Sequence, residues 1–228
     1  MLLQELAETS GVSVASIKYY RREGLLPAGE RVTATRQEYD RRHLERLRLV
    51  GTLREEAGAS ISDIRALVQV LDDPDQPLLT ALEIAQAIAL GLPAAPHDAP
   101  VPPDEDARVR PLLAELGWPD IPSGPRAALD ALLRSMEAAA IPAGPEVLAR
   151  YGRLLDELAR GDLAAMHRPA EAAADAAEEP SDDVVVTRVV AGTVSYGRLA
   201  QVLRALGHAS LSVAAYDLID GGRPRPGR

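Results

Sequence analysis

SVASIKYYRREGLL, residues Ser13 to Leu26, is the stretch whose reading decides the fold. Ser13 suits a helix N-cap, because its hydroxyl can accept a bond from an amide two or three residues on, and Gly24 suits the left-handed residue that ends a helix. The spacing predicts a helix of about ten residues between them. Ile17 and Tyr20 fall on one side of it, and Val12, Leu25 and Leu26 extend the same apolar patch. Ala15, Ser16, Lys18, Tyr19 and Arg22 are left outward, a set of small, cationic and phenolic groups suited to base edges and phosphates. The same pattern also describes an amphipathic core helix with a solvated basic face, so this stretch alone leaves both readings open.

Its neighbours narrow the choice. Leu2 to Thr9 predicts a short helix with Leu3, Leu6 and Ala7 on one side, closed by a Ser10-Gly11 turn. Two short helices around a tight Gly-containing turn predict a helix-turn-helix. Downstream, Pro27, Gly29 and the polar run GERVTATRQ break helical periodicity and predict a small two-stranded wing carrying Arg31 and Arg36. Those arginines are either backbone-gripping cations or solvated loop residues. From Arg41 to Glu56, Leu44, Leu47, Val50 and Leu53 recur at helical spacing. Gly58 ends that segment, and Ser60 with Asp63 predicts a capping box for a further helix striped by Ile61, Ile64, Leu67, Val68 and Leu71.

With those blocks in place, LQELAETSGVSVASIKYYRREGLLP, TRQEYDRRHLERLRLV and GASISDIRALV resemble the N-terminal domain of the MerR family of transcription regulators. The resemblance rests on the GVSV turn, the basic residue before Tyr19 and Tyr20, the EGLLP exit, and Arg36 with Tyr39 in the wing. It implies that Lys18, Tyr19 and Tyr20 match the family's Arg-Tyr-Tyr block, which contacts phosphates and groove edges, that Arg36 matches its wing arginine, and that His43 falls where a phosphate contact is expected. The DNA-facing set is then Ser13, Val14, Ala15, Ser16, Lys18, Tyr19, Tyr20, Arg21, Arg31, Arg36 and His43. The sequence departs from the family where Ala15 replaces a common Arg or Lys, where Arg21 replaces a common acid, and where the wing reads Arg-x-x-Tyr rather than Arg-x-Tyr.

Composition bounds the rest. No Cys occurs among 228 residues, which excludes disulfides and thiolate metal sites in this chain. With one Trp, six Tyr and no Phe, the core must come from Leu, Val, Ile and Ala, which favours helices. The formal charge of −9 is uneven: residues 1–71 hold 11 basic and 10 acidic groups, whereas the remainder holds 14 and 24. The field near the groove helix therefore matters more than the total. MLLQELAETSG has no basic leader and no apolar run approaches a membrane span, so the expectation is a cytoplasmic protein with no membrane partner.

The second half reads as helical at Leu78 to Leu90, Arg108 to Trp118, Pro125 to Ala140, Pro145 to His167 and Val184 to Leu206. VVVTRVVAGTV favours strand by its branched residues, yet Val186, Val189, Val190 and Val194 share one helical face, and Leu199, Leu203 and Leu206 continue it, so helix is expected. In MerR-like proteins the helix after the DNA-binding domain pairs antiparallel with its copy. Leu78 to Leu90 spans only about 20 Å, so it either supplies part of a dimer interface or packs within its own subunit. His97, His167 and His208 are isolated, and no metal site, cofactor or catalytic grouping is expected. Trp118, Tyr151 and Tyr196 either line a pocket for a small-molecule effector or are packing residues, the plainer reading.

The expected architecture is mainly α, a winged helix-turn-helix DNA-binding domain followed by an all-helical C-terminal domain. The divisions are 1–72 for the DNA-binding domain, 73–91 for a connecting or dimerisation helix, 92–107 for a Pro/acid-rich linker, 108–217 for a helical effector-sensing or dimerisation domain, and 218–228 for a disordered tail. By resemblance the protein is a non-enzymatic homodimer on a pseudo-palindromic site in double-stranded promoter DNA, distorting it so that RNA polymerase can engage. A ligand-sequestering protein with a vestigial DNA domain and an effector-independent DNA-architectural protein are the alternatives.

Overall fold

The computed structural model describes residues 1–33, 36–92, 105–166 and 179–215. Its elements run α1 (Leu3–Ser10), α2 (Val14–Arg22), β1 (Glu30–Arg31), β2 (Gln37–Glu38), α3 (Arg41–Glu55), α4 (Ile61–Asp72), α5 (Leu78–Ala89), α6 (Val109–Leu116), α7 (Gly124–Ala138), α8 (Pro145–Met166) and α9 (Asp182–Ala215). The mainly helical expectation holds, and the described strands form only a two-stranded antiparallel wing pairing Glu30 with Glu38 and Arg31 with Gln37.

Local chemistry sets the helix ends. Ser13 Oγ accepts the Ser16 amide at 3.1 Å, Asp40 Oδ1 accepts the His43 amide at 3.2 Å, and Ser60 Oγ accepts the Asp63 amide at 3.2 Å. Gly24, at φ +74°, lets the chain leave α2 through a left-handed residue, which sends Leu25 and Leu26 back into the core.

Two apolar clusters build the N-terminal unit. Leu6, Ile17, Leu26, Tyr39 and Leu47 knit α1, α2, the wing exit and α3. Leu25, Leu49, Leu53, Ile64, Leu67 and Ala85 join α3, α4 and α5, and Val186 and Val190 of α9 complete that second cluster. Thus α9, which the sequence division grouped with 108–217, spends its first half on α3 and α5. Asp183 lies against Arg46 near the start of α3, and Arg198 donates to the Glu56 carbonyl at its end (3.3 Å), so α9 runs alongside α3 in the same direction. The α5 helix packs within its own subunit, with Ala81, Ala85 and Ile88 buried against α4 and α9.

A third cluster, Val109, Leu113, Leu133 and Ala143, holds α6, α7 and the approach to α8. Gly152 lets α8 lie close to α6, since a Cβ there would stand 2.8 Å from Leu116 Cδ1. Glu105 and Asp106, assigned to the linker by sequence, are ion-pairing residues of this unit: Glu105 meets Arg110 and the buried Arg126, and Asp106 meets Arg108. The rest of the predicted linker from residue 93 to 104, His97, His167 and the predicted tail lie outside the described residues.

A buried ion pair ties α9 to the N-terminal unit. Arg46 donates from Nε to both Asp183 oxygens at 3.1 and 2.9 Å, and from its two terminal nitrogens to Asp72 at 3.3 and 2.7 Å. The Arg46 and Asp183 side chains are 7% and 9% exposed, whereas Asp72 is 54% exposed. Asp183→Ala leaves a buried guanidinium short of its partner and is expected to cost about 3–5 kcal/mol; Asp72→Ala, at a wet position, should cost about 1 kcal/mol or less. Urea melts of the two variants check this, and equal losses would contradict it.

A pH dependence follows from Asp106, whose carboxyl the Arg108 guanidinium holds at about 2, below its ordinary 3.8. A depressed carboxyl stabilises the fold above its unfolded pKa, and that contribution is lost as pH falls from about 3.8 through about 2. Fluorescence of Trp118, the single Trp and part of the same cluster, should report acid loosening in that window. Asp106→Asn should flatten the pH response there.

Candidate nucleic-acid interface

The α2 helix is held from behind by Ile17, fully buried, and presents Ser13, Ala15, Lys18 and Arg22 to solvent. Val14, Ser16, Tyr19, Tyr20 and Arg21 are half-buried along its flanks. Ser13 and Ser16 hydroxyls lie 2.9 Å apart, so the cap also orients a potential base-reading group. The Tyr19 and Tyr20 rings are tilted at 57° with centroids 5.8 Å apart, and the Arg22 guanidinium stacks 5.2 Å from the Tyr19 centroid.

Concavities flank this helix. A concavity of about 270 Å³ is lined by Ala15, Ser16, Tyr19, Tyr20, Arg54 and Ile61; another, of about 290 Å³, is lined by Lys18, Arg21, Arg22, Leu26 and Ala28. Arg54 was not among the residues singled out from sequence. It comes from the last turn of α3, where its Nη1 donates to the Ala59 carbonyl at 3.4 Å. It stands beside the short side chain of Ala15. No periodicity or local motif could have placed it there, because its position depends on how α3 crosses α2.

The wing exposes Arg31 and Arg36 on opposite faces of its ribbon, since Arg31 is registered with Gln37 while Arg36 bonds Val32. Arg31 is exposed and has no ion-pair partner among the described residues; Arg36 donates to Glu38 at 3.0 Å and remains half-exposed. Tyr39 is 4% exposed, with its hydroxyl taking a 2.8 Å bond from Arg21 Nη1 and giving one to Gln37 at 3.3 Å. The Arg-x-x-Tyr spacing therefore turns the tyrosine into the core as a bridge between wing and groove helix. Arg21, a cation in the expected DNA-facing set, spends one nitrogen on that bridge.

His43 sits beneath the wing exit rather than on the surface. It is 7% exposed, meets the Tyr39 ring edge-on at 5.0 Å, and has Nδ1 at 2.7 Å from Asp40 Oδ1. Burial raises the Asp40 carboxyl, but the bonds from His43 outweigh it and hold that acid below its usual range. Glu23, at the exit of α2, is tied to Arg65 of α4 by its carbonyl and by its carboxylate at 2.7 Å. That neutralises the acid nearest the groove helix and fixes its C-terminal end.

The expected effector residues fall in different surroundings. Trp118 packs on the α6–α7 cluster and donates from Nε1 to Asp156 at 2.7 Å. Tyr151 of α8 lies between Arg150 and Arg204, each within 6 Å of its centroid at 5.6 and 5.4 Å. Tyr196 stands exposed on α9. No ring contact joins the three among the described residues. No group of three or more His, Asp or Glu is placed to hold a metal among these residues, and no described helix is long and apolar enough to cross a membrane.

Comparison with known proteins matches residues 1–71 to the MerR HTH family regulatory protein profile. Over 65 residues, 28% of this chain, the sequence is 38% identical to the nodulation protein NolA of Bradyrhizobium elkanii. Over 70 residues, 31% of this chain, it is 31% identical to the HTH-type transcriptional regulator ZntR homolog of Haemophilus influenzae. Those matches span 29% and 51% of the two relatives' own lengths. The crystal structure of the candidate transcriptional regulator SCO5550 of Streptomyces coelicolor A3(2) superposes with a TM-score of 0.62 at 30% identity, covering 95% of this chain and 98% of that one.

The close approach at the base of the wing yields a structural test. A Cβ on Gly29 would lie 2.7 Å from the Glu38 carbonyl oxygen and 3.1 Å from the Tyr39 ring, neither of which can swing aside. Gly29→Ala should cost about 1–3 kcal/mol by overpacking and speed hydrogen exchange of the Val32 amide, which bonds Arg36 across the wing. Unchanged exchange would show that the wing adapts without opening.

Proposed function

The chain belongs to the MerR family of transcription regulators, and from that membership we propose that it acts as a homodimer on a pseudo-palindromic promoter site. Each α2 lies in a major groove and each wing rests on flanking backbone. The observation that carries this reading is the set of outward cations on the groove helix and the wing, Lys18, Arg22, Arg31 and Arg36, whose neighbouring acids Glu23 and Glu38 are each tied to an arginine.

Roles divide by reach. Lys18, Arg31 and Arg36 neutralise phosphates, a sequence-independent contribution. Ser16, Lys18 and Tyr19 read base edges. Ala15 offers no long donor, and Arg54 supplies a cation beside it from α3. With few side chains reading bases directly, a larger share of selectivity comes from the energy of deforming DNA. That fits a regulator that distorts promoter DNA so that RNA polymerase engages both of its recognition elements. The α6–α8 unit, with Trp118 and Tyr151, is proposed as the place where a small-molecule effector acts; its size exceeds what a dimer clamp requires.

Footprinting on the promoter upstream of its own gene, at moderate salt, tests the reading, and absence of discrete protection would remove it. Arg36→Ala should weaken binding to all sequences and reduce the slope of log affinity against log salt by about 1.8, one phosphate for each wing of the dimer. Arg54→Ala should lower affinity for the protected site about 10-fold or more, as loss of a charge-assisted contact does, with the melting temperature little changed. A ligand panel that shifts neither melting nor DNA affinity would eliminate the effector part alone.

A further inference from the structure

We propose that the projecting half of α9 is the homodimer interface, pairing antiparallel with the same segment of a second copy; this rests on the dimeric reading above. Two faces of this one helix are apolar. At about 100° per residue, Val186, Val190 and Val194 share the face that packs on the N-terminal unit, where all three are buried. Tyr196, Leu199, Leu203 and Leu206 lie about 160° away on the opposite face. These four, with Val202 and Leu211, are 50% to 71% exposed. A helix that is apolar on both sides needs cover on both sides.

Among the described residues, contacts within the chain leave that second face open. Arg198, bonded to the Glu56 carbonyl, and Arg204, stacked on Tyr151, both point to the side already facing the subunit. The stripe itself follows a three-four spacing from Tyr196 through Leu199, Leu203 and Leu206 to Ser210 and Val213, the pattern of a two-helix contact.

Charge selects the occupant. No Asp or Glu occurs from Val184 to Ala215, and the residues flanking the stripe are Ala200, Val202, Gly207 and Ala209. The arginines of the projecting half, Arg198 and Arg204, are held toward their own subunit by the Glu56 carbonyl and the Tyr151 ring, so a copy of the same helix meets no like charge along the stripe, and the small flanks allow close approach. By residue size the six exposed side chains present roughly 400 Å² per copy. A symmetric pair, with its small flanking residues, buries on the order of 1,000 Å², enough for a specific interface.

Direction follows from where the N-terminal units hang. The stripe is centred near Arg204, about 14 residues or 21 Å past Val190. Antiparallel pairing about that point sets the two anchor sites about 42 Å apart, comparable with the roughly 34–36 Å between half-sites one turn apart on DNA. The α5 helix, covered on its own subunit by α4 and α9, leaves this role to α9.

Light scattering of the full chain should give twice 24.3 kDa, and Leu203→Glu combined with Leu206→Glu should give one chain's mass with the helical circular-dichroism signal retained. A monomeric parent, or a variant that stays dimeric, overturns the interface. Because the chain lacks Cys, Leu203→Cys places single thiols near the two-fold and should cross-link on oxidation, whereas Tyr196→Cys, far from it, should not. Equal cross-linking of both overturns the antiparallel arrangement. A footprint that persists while the charged variant stays dimeric sinks this inference alone; efficient Leu203→Cys cross-linking without any footprint sinks the DNA reading alone.

Discussion

The burial of Arg46 constrains everything around it. A guanidinium cannot give up its proton, so taking it out of water demands carboxylates on its donors. One comes from Asp72, where α4 ends, and the other from Asp183, where α9 begins. Meeting that demand draws together the start of α3, the end of α4 and a helix 137 positions downstream. Once Asp183 is fixed, the helical repeat delivers Val186 and Val190 into the cluster of Leu49, Leu53 and Leu67. Burial pushes the Asp183 carboxyl up despite its arginine partner, so the charged pair is held by geometry as much as by attraction.

The consequence reaches the groove helix through continuous packing. Leu25 belongs to the cluster that α9 completes, and Leu26, one residue later, belongs to the cluster behind α2. Arg65 on α4 bonds the last turn region of α2 at Glu23. Any change in how α9 seats on α3 is therefore felt at α2 through side chains in contact, with no mobile connector between them.

The wing is tied in by a different device. Tyr39 is buried among Leu6, Ile17 and Leu47 and uses its hydroxyl to hold Arg21. A cation that could have faced phosphate becomes a brace between wing and helix. The remaining cations stand on the groove helix and wing, where Glu23 and Glu38 are tied to arginines, so the local field is less acidic than that of the chain as a whole.

What the sequence determined by itself was everything whose cause is local. Ser13, Asp40 and Ser60 cap helices because a side-chain oxygen reaches an amide three residues on, and Gly24 turns the chain because it lacks a Cβ. Helical periodicity placed the helices and overruled the strand propensity of VVVTRVV, and three ordered blocks carried the family. Tertiary structure alone decided which faces meet: that Asp183 answers Arg46, that Arg54 stands beside Ala15, that Arg21 turns to Tyr39, and that Glu105 and Asp106 join an ion network. Those pairings join residues up to 137 positions apart. A periodic stripe says that a face needs cover, but the partner that covers it is chosen by how the helices cross.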